Sequence, residues 1–195
     1  MSVTTSRTSE TVLPGNDLVV VPRQDSPTDN LRVVRHDEKA PATWPAAPVL
    51  LVGSSGGHLA QLLSLRPWWA DKPHRWVMFN TPDARAQLAG ESVVWAHHPT
   101  TRNIPNLVRN TLLALMLLLR SRPSVIVSTG AGVALPFFVL GKLLGIPTVY
   151  VEVYDRVDSR TMTGRLCRPF ATRFLVQWQE QLPLYRESML LGPLL

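Results

Sequence analysis

From residue 49 onward, short apolar runs alternate with longer stretches that mix apolar and polar positions at helical spacing. Residues 49–52, 76–79, 93–95, 125–127, 148–151 and 174–176 are runs of three or four mostly apolar residues. Runs of this length and continuity mark strands buried on both faces. Residues 189–191 form a shorter candidate of the same kind. Between them, 58–65, 81–89, 104–120, a stretch ending near 144, 165–171 and 180–187 read as helices. Pro82 sits in the first turn of the second, Gly90 lies just past its end, and Gly145 closes the fourth. Strand and helix in alternation predict an α/β protein with an open, Rossmann-like parallel sheet covered on both faces. The N-terminal part is different: it is rich in Ser, Thr, Pro and charge, and only 18–21 reads as a strand. The chain therefore divides into a disordered polar tail, 1–47, and a Rossmann-like domain, 48–195.

In such a sheet the ligand lies beyond the C-terminal ends of the strands. Four polar or glycine-rich loops fall there: 54–58, 97–103, 128–132 and 152–156. The first is the most informative. Gly53, Ser54, Ser55, Gly56, Gly57 and His58 follow directly on an apolar strand and lead into a helix. That arrangement turns backbone N–H groups and a helix N-terminus toward an anion, usually a phosphate.

Charge changes the picture modestly. The formal net charge of the chain is +6. Residues 1–47 hold five Lys/Arg and six Asp/Glu, a net of −1, and residues 48–195 hold fifteen and eight, a net of +7. A basic body implies an anionic partner. The arginines are scattered and carry no nucleic-acid motif, so nucleic acid is not expected. One cysteine, Cys167, excludes an internal disulfide. His97 and His98 are adjacent and point apart on an extended chain, so no metal site is expected. The start of the chain lacks the basic and apolar pattern of a signal peptide. The longest strictly apolar run, 112–119, is far below the roughly 18–20 residues of a spanning helix. The expectation is a soluble or peripheral protein.

Three phosphate chemistries compete for the first glycine loop. A P-loop requires a Gly-Lys-Ser/Thr ending, and none occurs. A dinucleotide site requires Gly-x-Gly-x-x-Gly and an acidic residue about 20 positions on. Gly53, Gly56 and Gly57 have other spacing, and the second strand ends at Phe79-Asn80 without a carboxylate. The third chemistry is sugar transfer. Residues 51–62, LVGSSGGHLAQL, resemble the opening of the acceptor domain of MurG-like glycosyltransferases of the GT-B architecture. The closer similarity is to a half-enzyme family, the asparagine-linked-glycosylation protein fourteen family with its PssD-like bacterial relatives. Val127-Ser128-Thr129-Gly130-Ala131-Gly132 resembles its second glycine loop. Tyr150-Val151-Glu152, then Arg156-Val157 and Thr163-Gly164-Arg165-Leu166, resemble its fifth-strand region, and Phe174-Leu175-Val176-Gln177-Trp178 its sixth strand. Thr101-Arg102-Asn103 resembles the bacterial branch. Eukaryotic members carry an N-terminal membrane helix where this chain has a polar tail, which also favours that branch.

The resemblance implies an inverting, UDP-sugar-dependent glycosyltransferase subunit that binds the acceptor, a polyprenyl-diphosphate-linked sugar. It implies peripheral attachment to the cytoplasmic face of the membrane and a separate donor-binding partner chain, without which the subunit is inactive. No cofactor or metal is implied. His58 and Glu152 are the candidate bases for the acceptor hydroxyl; the alternatives are a cap or packing role for His58 and a solvated turn for Glu152. Gly53, Ser54, Ser55, Gly56, Gly57, Arg102, Asn103, Thr129, Gly130, Gly132 and Arg156 are the candidate acceptor and phosphate contacts. Asn103 also reads simply as an N-cap, and the second glycine loop as a small-residue turn. In the helix 104–120, Ile104, Leu107, Val108, Leu112, Leu115, Leu118 and Leu119 share one face. That face is either packed under neighbours or rests on an anionic membrane between arginines. Trp68 and Trp69 read as packing or interface residues. Two other functions stay open: a non-catalytic membrane recruiter of a transferase, and a nucleotide-dependent Rossmann enzyme.

Overall fold

The structure, a computed structural model, describes residues 47–195 and three short strands ahead of them, β1 (Thr11–Val12), β2 (Leu18–Val21) and β3 (Arg32–Arg35). These three pair antiparallel in the order β1-β2-β3. The expected strand at 18–21 is present, and two more flank it. The rest of the stretch expected to be a disordered tail lies outside the described residues.

The remaining strands are β4 (Val49–Val52), β5 (His74–Phe79), β6 (Val93–Ala96), β7 (Val125–Ser128), β8 (Thr148–Val151), β9 (Arg173–Val176) and β10 (Met189–Leu190). They form one parallel sheet in the order β10-β9-β8-β7-β4-β5-β6. Counted with β4 as its first strand, the sheet from β6 to β9 has the doubly wound order 3-2-1-4-5-6, and β10 is added beside β9. The order reverses between β4 and β7, so the loops that follow those two strands flank the crevice where such sheets bind ligands.

Side-chain alternation along each strand builds two cores. Val49 and Leu51 point to one face, packed with Leu59 and Leu62 of α1 (Gly57–Ser64), Trp68 and Trp69 of α2 (Arg66–Trp69) and Ala84 of α3 (Pro82–Gln87). Leu50 and Val52 point to the other, packed with Ala114 and Leu118 of α4 (Ile104–Arg120), Phe137 and Phe138 of α5 (Ala134–Leu143) and Cys167 of α6 (Met162–Cys167). The tryptophan pair is thus core, with the Trp69 indole N–H donating to Leu62 O at 2.8 Å. The expected helix at 165–171 begins three residues earlier because the Thr161 hydroxyl accepts from the Gly164 N–H and caps it. The expected helix at 180–187 is a 3-10 turn, Gln179–Leu184, which contains Pro183; the ring removes a donor and limits the turn's length.

For helix α4 the sequence left open which way its apolar face turns, and the structure turns it outward. Its inward side carries Asn106, Asn110, Ala114 and Leu118. The apolar face expected from spacing is turned outward instead: Ile104 is 73% exposed, Leu112 57% and Leu119 64%, with Leu107, Val108, Leu115 and Met116 also exposed. Leu118 alone of the expected face is buried. The reason is hydrogen bonding. Asn110 accepts from His97 N at 2.9 Å and donates to His97 O at 2.8 Å, and Asn106 donates to Pro99 O at 2.9 Å. The polar side of α4 supplies these partners to the backbone after β6.

Candidate functional site

The loop between β4 and α1 is held open by Gly56, whose φ of 66° and ψ of −133° suit glycine. A side chain at Gly56 or Gly57 would meet nothing within 4 Å, so this part of the rim faces open space. Gly53, by contrast, is packed: its N–H donates to Val77 O at 3.0 Å, and a Cβ there would lie 3.1 Å from Leu62. The Ser54 hydroxyl donates to Ser55 O at 3.2 Å. The Gly56 N–H donates at 3.1 Å to Asp83 Oδ2, on α3. The Thr81 hydroxyl and this N–H hold the Asp83 carboxyl below its usual range. An anion arriving at Gly56 therefore meets a carboxylate already in place.

The second loop locks onto the first. His58 Nδ1 lies 2.9 Å from Thr129 O, and the Thr129 hydroxyl donates to His58 O at 2.9 Å. A carbonyl only accepts, so Nδ1 carries the proton and the neutral ring keeps its lone pair on Nε2. Burial pushes the His58 imidazole below its usual value, while the bond to Thr129 and the charge of Asp155 act in the other direction. Ser128 Oγ accepts from Gly130 N at 3.0 Å. Gly130 has φ 123°, and a Cβ there would lie 2.7 Å from His58 Cε1 and 3.1 Å from the Tyr150 hydroxyl. The loop at 97–103 packs on the same place: a Cβ at Gly132 would lie 2.8 Å from Thr100 Oγ1.

His58 opens on a cleft of about 220 Å³ that it shares with Ala131, Tyr150, Val153, Asp155, Arg156, Thr161 and Thr163. Of the expected contacts, His58 and Arg156 line this cleft, and Thr129 and Gly130 form the wall behind the imidazole. Asn103 is engaged as the N-cap of α4, accepting from Asn106 N at 2.9 Å. Arg102 is exposed beside it at φ 49°.

Glu152 stands elsewhere. Its side chain is fully buried. Oε1 accepts from Val153 N at 3.0 Å, and the Thr161 hydroxyl lies 2.9 and 3.1 Å from the two carboxylate oxygens. Tyr185 also bonds the carboxylate, and its hydroxyl accepts from Thr161 N at 3.0 Å. Burial raises the Glu152 carboxyl above its usual value despite these donors. The carboxylate thus organises the cleft wall at Thr161 from behind.

Sequence reasoning gave no site role to Tyr150, Asp155, Thr161 and Thr163 in the cleft, to Asp83 at the glycine loop, or to a buried glutamine network. Gln177 donates to Glu152 O at 2.8 Å and to Gln61, while Gln181 donates to Val153 O at 2.8 Å and Arg156 O at 3.0 Å. Polar residues at the end of an apolar strand, as Gln177 is, were the available signal, because a buried amide needs partners. Among the described residues no group of three or more His, Cys, Asp or Glu side chains could hold a metal ion.

The chain is similar to known proteins. The UDP-N-acetylglucosamine transferase subunit ALG14 of Candida albicans is 32% identical over 104 residues, 50% of this chain and 44% of that protein. The human subunit of the same name is 27% identical over 175 residues, 74% of this chain and 81% of that protein. The chain thus spans less than half of the Candida relative. The fold is shared with the crystal structure of Acinetobacter baumannii MurG, at a TM-score of 0.57 and 15% identity over 73% of this chain and 44% of that one. The model of the family described as "Oligosaccharide biosynthesis protein Alg14 like" matches residues 95–194, from β6 to the last buried leucine, and the chain belongs to that family.

Proposed function

We propose that this protein is the acceptor-binding subunit of a two-chain, inverting glycosyltransferase that uses a UDP-sugar such as UDP-N-acetylglucosamine. The relatives named as transferase subunits support a role within a larger enzyme. The acceptor is a polyprenyl-diphosphate-linked sugar, and the donor is held mainly by a separate partner chain. The observation that carries the reading is the His58 tautomer: Nδ1–H is tied to Thr129 O at the switch point of the sheet, and Nε2 is left for the cleft.

The chemistry follows from that geometry. The acceptor hydroxyl oxygen attacks the anomeric carbon, the bond from that carbon to UDP breaks, and Nε2 takes the hydroxyl proton. The lowered basicity of His58 keeps it neutral, and so able to accept, at neutral pH. Arg156 at the cleft and the exposed Arg102 of the 97–103 loop supply positive charge for the diphosphate. At the first glycine loop the diphosphate displaces Asp83 from Gly56 N–H. Glu152 serves as a positioning residue for Thr161 and the 153–156 loop, because its oxygens are already engaged within the fold.

The protein sits peripherally on the cytoplasmic face of a membrane through the outward stripe of α4. That stripe supports the reading because apolar side chains at positions 104, 107, 108, 112, 115, 116 and 119 line one exposed face, with Arg109 and Arg120 on the same helix. Among the described residues no helix is long and apolar enough to cross a membrane.

The test is reconstitution with a donor-binding partner and a short-chain polyprenyl-diphosphate acceptor. His58→Gln is expected to lower kcat by about 10²–10⁴-fold, the span of a general base, with acceptor KM little changed. Full activity of His58→Gln would instead favour a recruiter that only tethers the partner. Turnover of a UDP-sugar by this chain alone would defeat the two-chain reading.

A further inference from the structure

A second cavity lies between α6 and the turn that precedes β10, with a volume of about 410 Å³. Arg160, Arg165, Arg168, Arg186, Tyr185 and Glu187 line it. We propose that this arginine-lined cavity is a binding site for a phosphomonoester or diphosphate group, separate from the cleft at His58.

Four guanidinium groups face one carboxylate there. The only ion pair among them is Arg168–Glu187, at 3.5 Å. Arg160, Arg165 and Arg186 have no carboxylate partner among the described residues. A cavity of this size is about one Debye length across, on the order of 10 Å at 0.1 M salt, so the unpaired charges repel one another unless an anion enters. The excess of three positive charges matches a phosphate ester or diphosphate better than a single carboxylate. Planar guanidinium forks are suited to phosphate oxygens. The volume is several times that of a phosphate group, which leaves room for a diphosphate and its first ester.

The site is built rather than a loose patch of surface charge. The rings of Phe174 and Tyr185 stack at 4.5 Å between centroids. The Arg160 guanidinium lies 5.9 Å from the Tyr185 ring and that of Arg168 lies 5.7 Å from the Phe174 ring. Arg168 also donates to Arg186 O, which ties the turn to α6. The same aromatic stack continues from Phe174 to Tyr150 at 4.8 Å, and Tyr150 lines the His58 cleft. Tyr185 lines the arginine cavity with its ring while its hydroxyl reaches Thr161 N and Glu152. The two cavities thus share one rigid wall and remain distinct in their lining, apart from that wall.

Two sources offer this chemistry, a soluble phosphate ester and an anionic lipid headgroup. The experiment uses the full chain and the double variant Arg165→Gln/Arg186→Gln. Both side chains are exposed and have no hydrogen bond within the described residues, so the fold is retained, which melting curves check. A second double variant, Arg66→Gln/Arg85→Gln, removes two exposed charges on the opposite face. Inorganic pyrophosphate is titrated by calorimetry, and sedimentation is measured with phosphatidylcholine vesicles with and without one-fifth phosphatidic acid. The proposed function gives the His58 cleft a diphosphate site as well, so two sites are fitted: the cavity variant is expected to lose about tenfold or more in pyrophosphate affinity at one of them, the scale of two charge-assisted contacts, and to keep the other, while the control loses less than about twofold at either. An equal loss of vesicle binding, competed by pyrophosphate, identifies the headgroup as the source; unchanged vesicle binding identifies a soluble ester. Equal effects of the two double variants, or no binding of either probe by the wild type, overturn the proposal.

Discussion

Gly130→Ala probes the link between the second glycine loop and His58 most directly. The new Cβ would stand 2.7 Å from His58 Cε1, where ordinary contact begins at 3.4 Å, so the ring must retreat by about 0.7 Å. If it moves along its hydrogen bond, the 2.9 Å separation of Nδ1 from Thr129 O grows to about 3.6 Å, which is no longer a hydrogen bond. Two costs follow for stability. A side chain at φ 123° is strained by on the order of 1–3 kcal/mol, and crowding adds about 1–3 kcal/mol. Together, about 2–6 kcal/mol lowers Tm by roughly 4–24 °C in a chain of this size. Activity falls further than stability alone predicts, because a base displaced by nearly 1 Å costs on the order of 10²-fold in rate. The assay is sugar transfer by the reconstituted pair below the melting range, with ¹⁵N spectra of the imidazole reporting the tautomer. In a His58→Ala background the colliding ring is gone, so Gly130→Ala should change the rate by no more than about twofold. Full activity of Gly130→Ala, or an equal loss with and without His58, would refute the reasoning.

Four other outcomes are expected. The unfolded chain protonates His58 near 6.5 and the folded protein only at lower pH. Stability from this group is therefore complete above about 6.5 and is lost as pH falls through the folded value, and His58→Gln should flatten that part of a Tm-against-pH curve. Asn110→Ala leaves the N–H and C=O of His97 without partners and should cost about 2–4 kcal/mol in denaturant titration. Asp83→Asn removes the carboxylate at the Gly56 N–H and should lower the KM for a diphosphate-bearing acceptor by about 2–5-fold, the scale of one exposed charge interaction. Leu112→Glu/Leu119→Glu places charges on the outward stripe of α4 and should abolish sedimentation with anionic vesicles while leaving Tm within a few degrees, because both side chains are already exposed.

Most of the sheet was legible because each strand is a continuous apolar run, and its loops fall on one rim by the parallel order alone. The pairing of the two glycine loops was not legible. It rests on contacts between residues 71 positions apart, His58 with Thr129, and nothing in either loop specifies the other. Glu152 shows the same limit. At the end of an apolar strand a carboxylate reads as a rim residue, but Thr161, nine positions on, draws it into the fold. Asp155, three residues away, is the carboxylate near His58. Spacing identified which residues of α4 share a face and left open which way that face turns. The direction is set by Asn106 and Asn110, whose amides match the backbone of the 97–99 segment.

Those two asparagines join features that look unrelated along the chain. By bonding His97 and Pro99 they fix the segment that leads to Thr100, and Thr100 packs where Gly132 leaves no room for a side chain. The same bonds turn the apolar stripe of α4 away from the core. The surface proposed to meet lipid and the loop behind His58 are therefore parts of one rigid body. For the proposed lipid-linked acceptor this coupling is useful, since its diphosphate would stay near the headgroup plane while its sugar would have to reach the proposed base, His58. With α4 lying on the membrane, the height of His58 above that plane is set by packed backbone. A helix with its apolar face inward would take those amides away from His97 and Pro99 and, on the proposed reading, lose that registration.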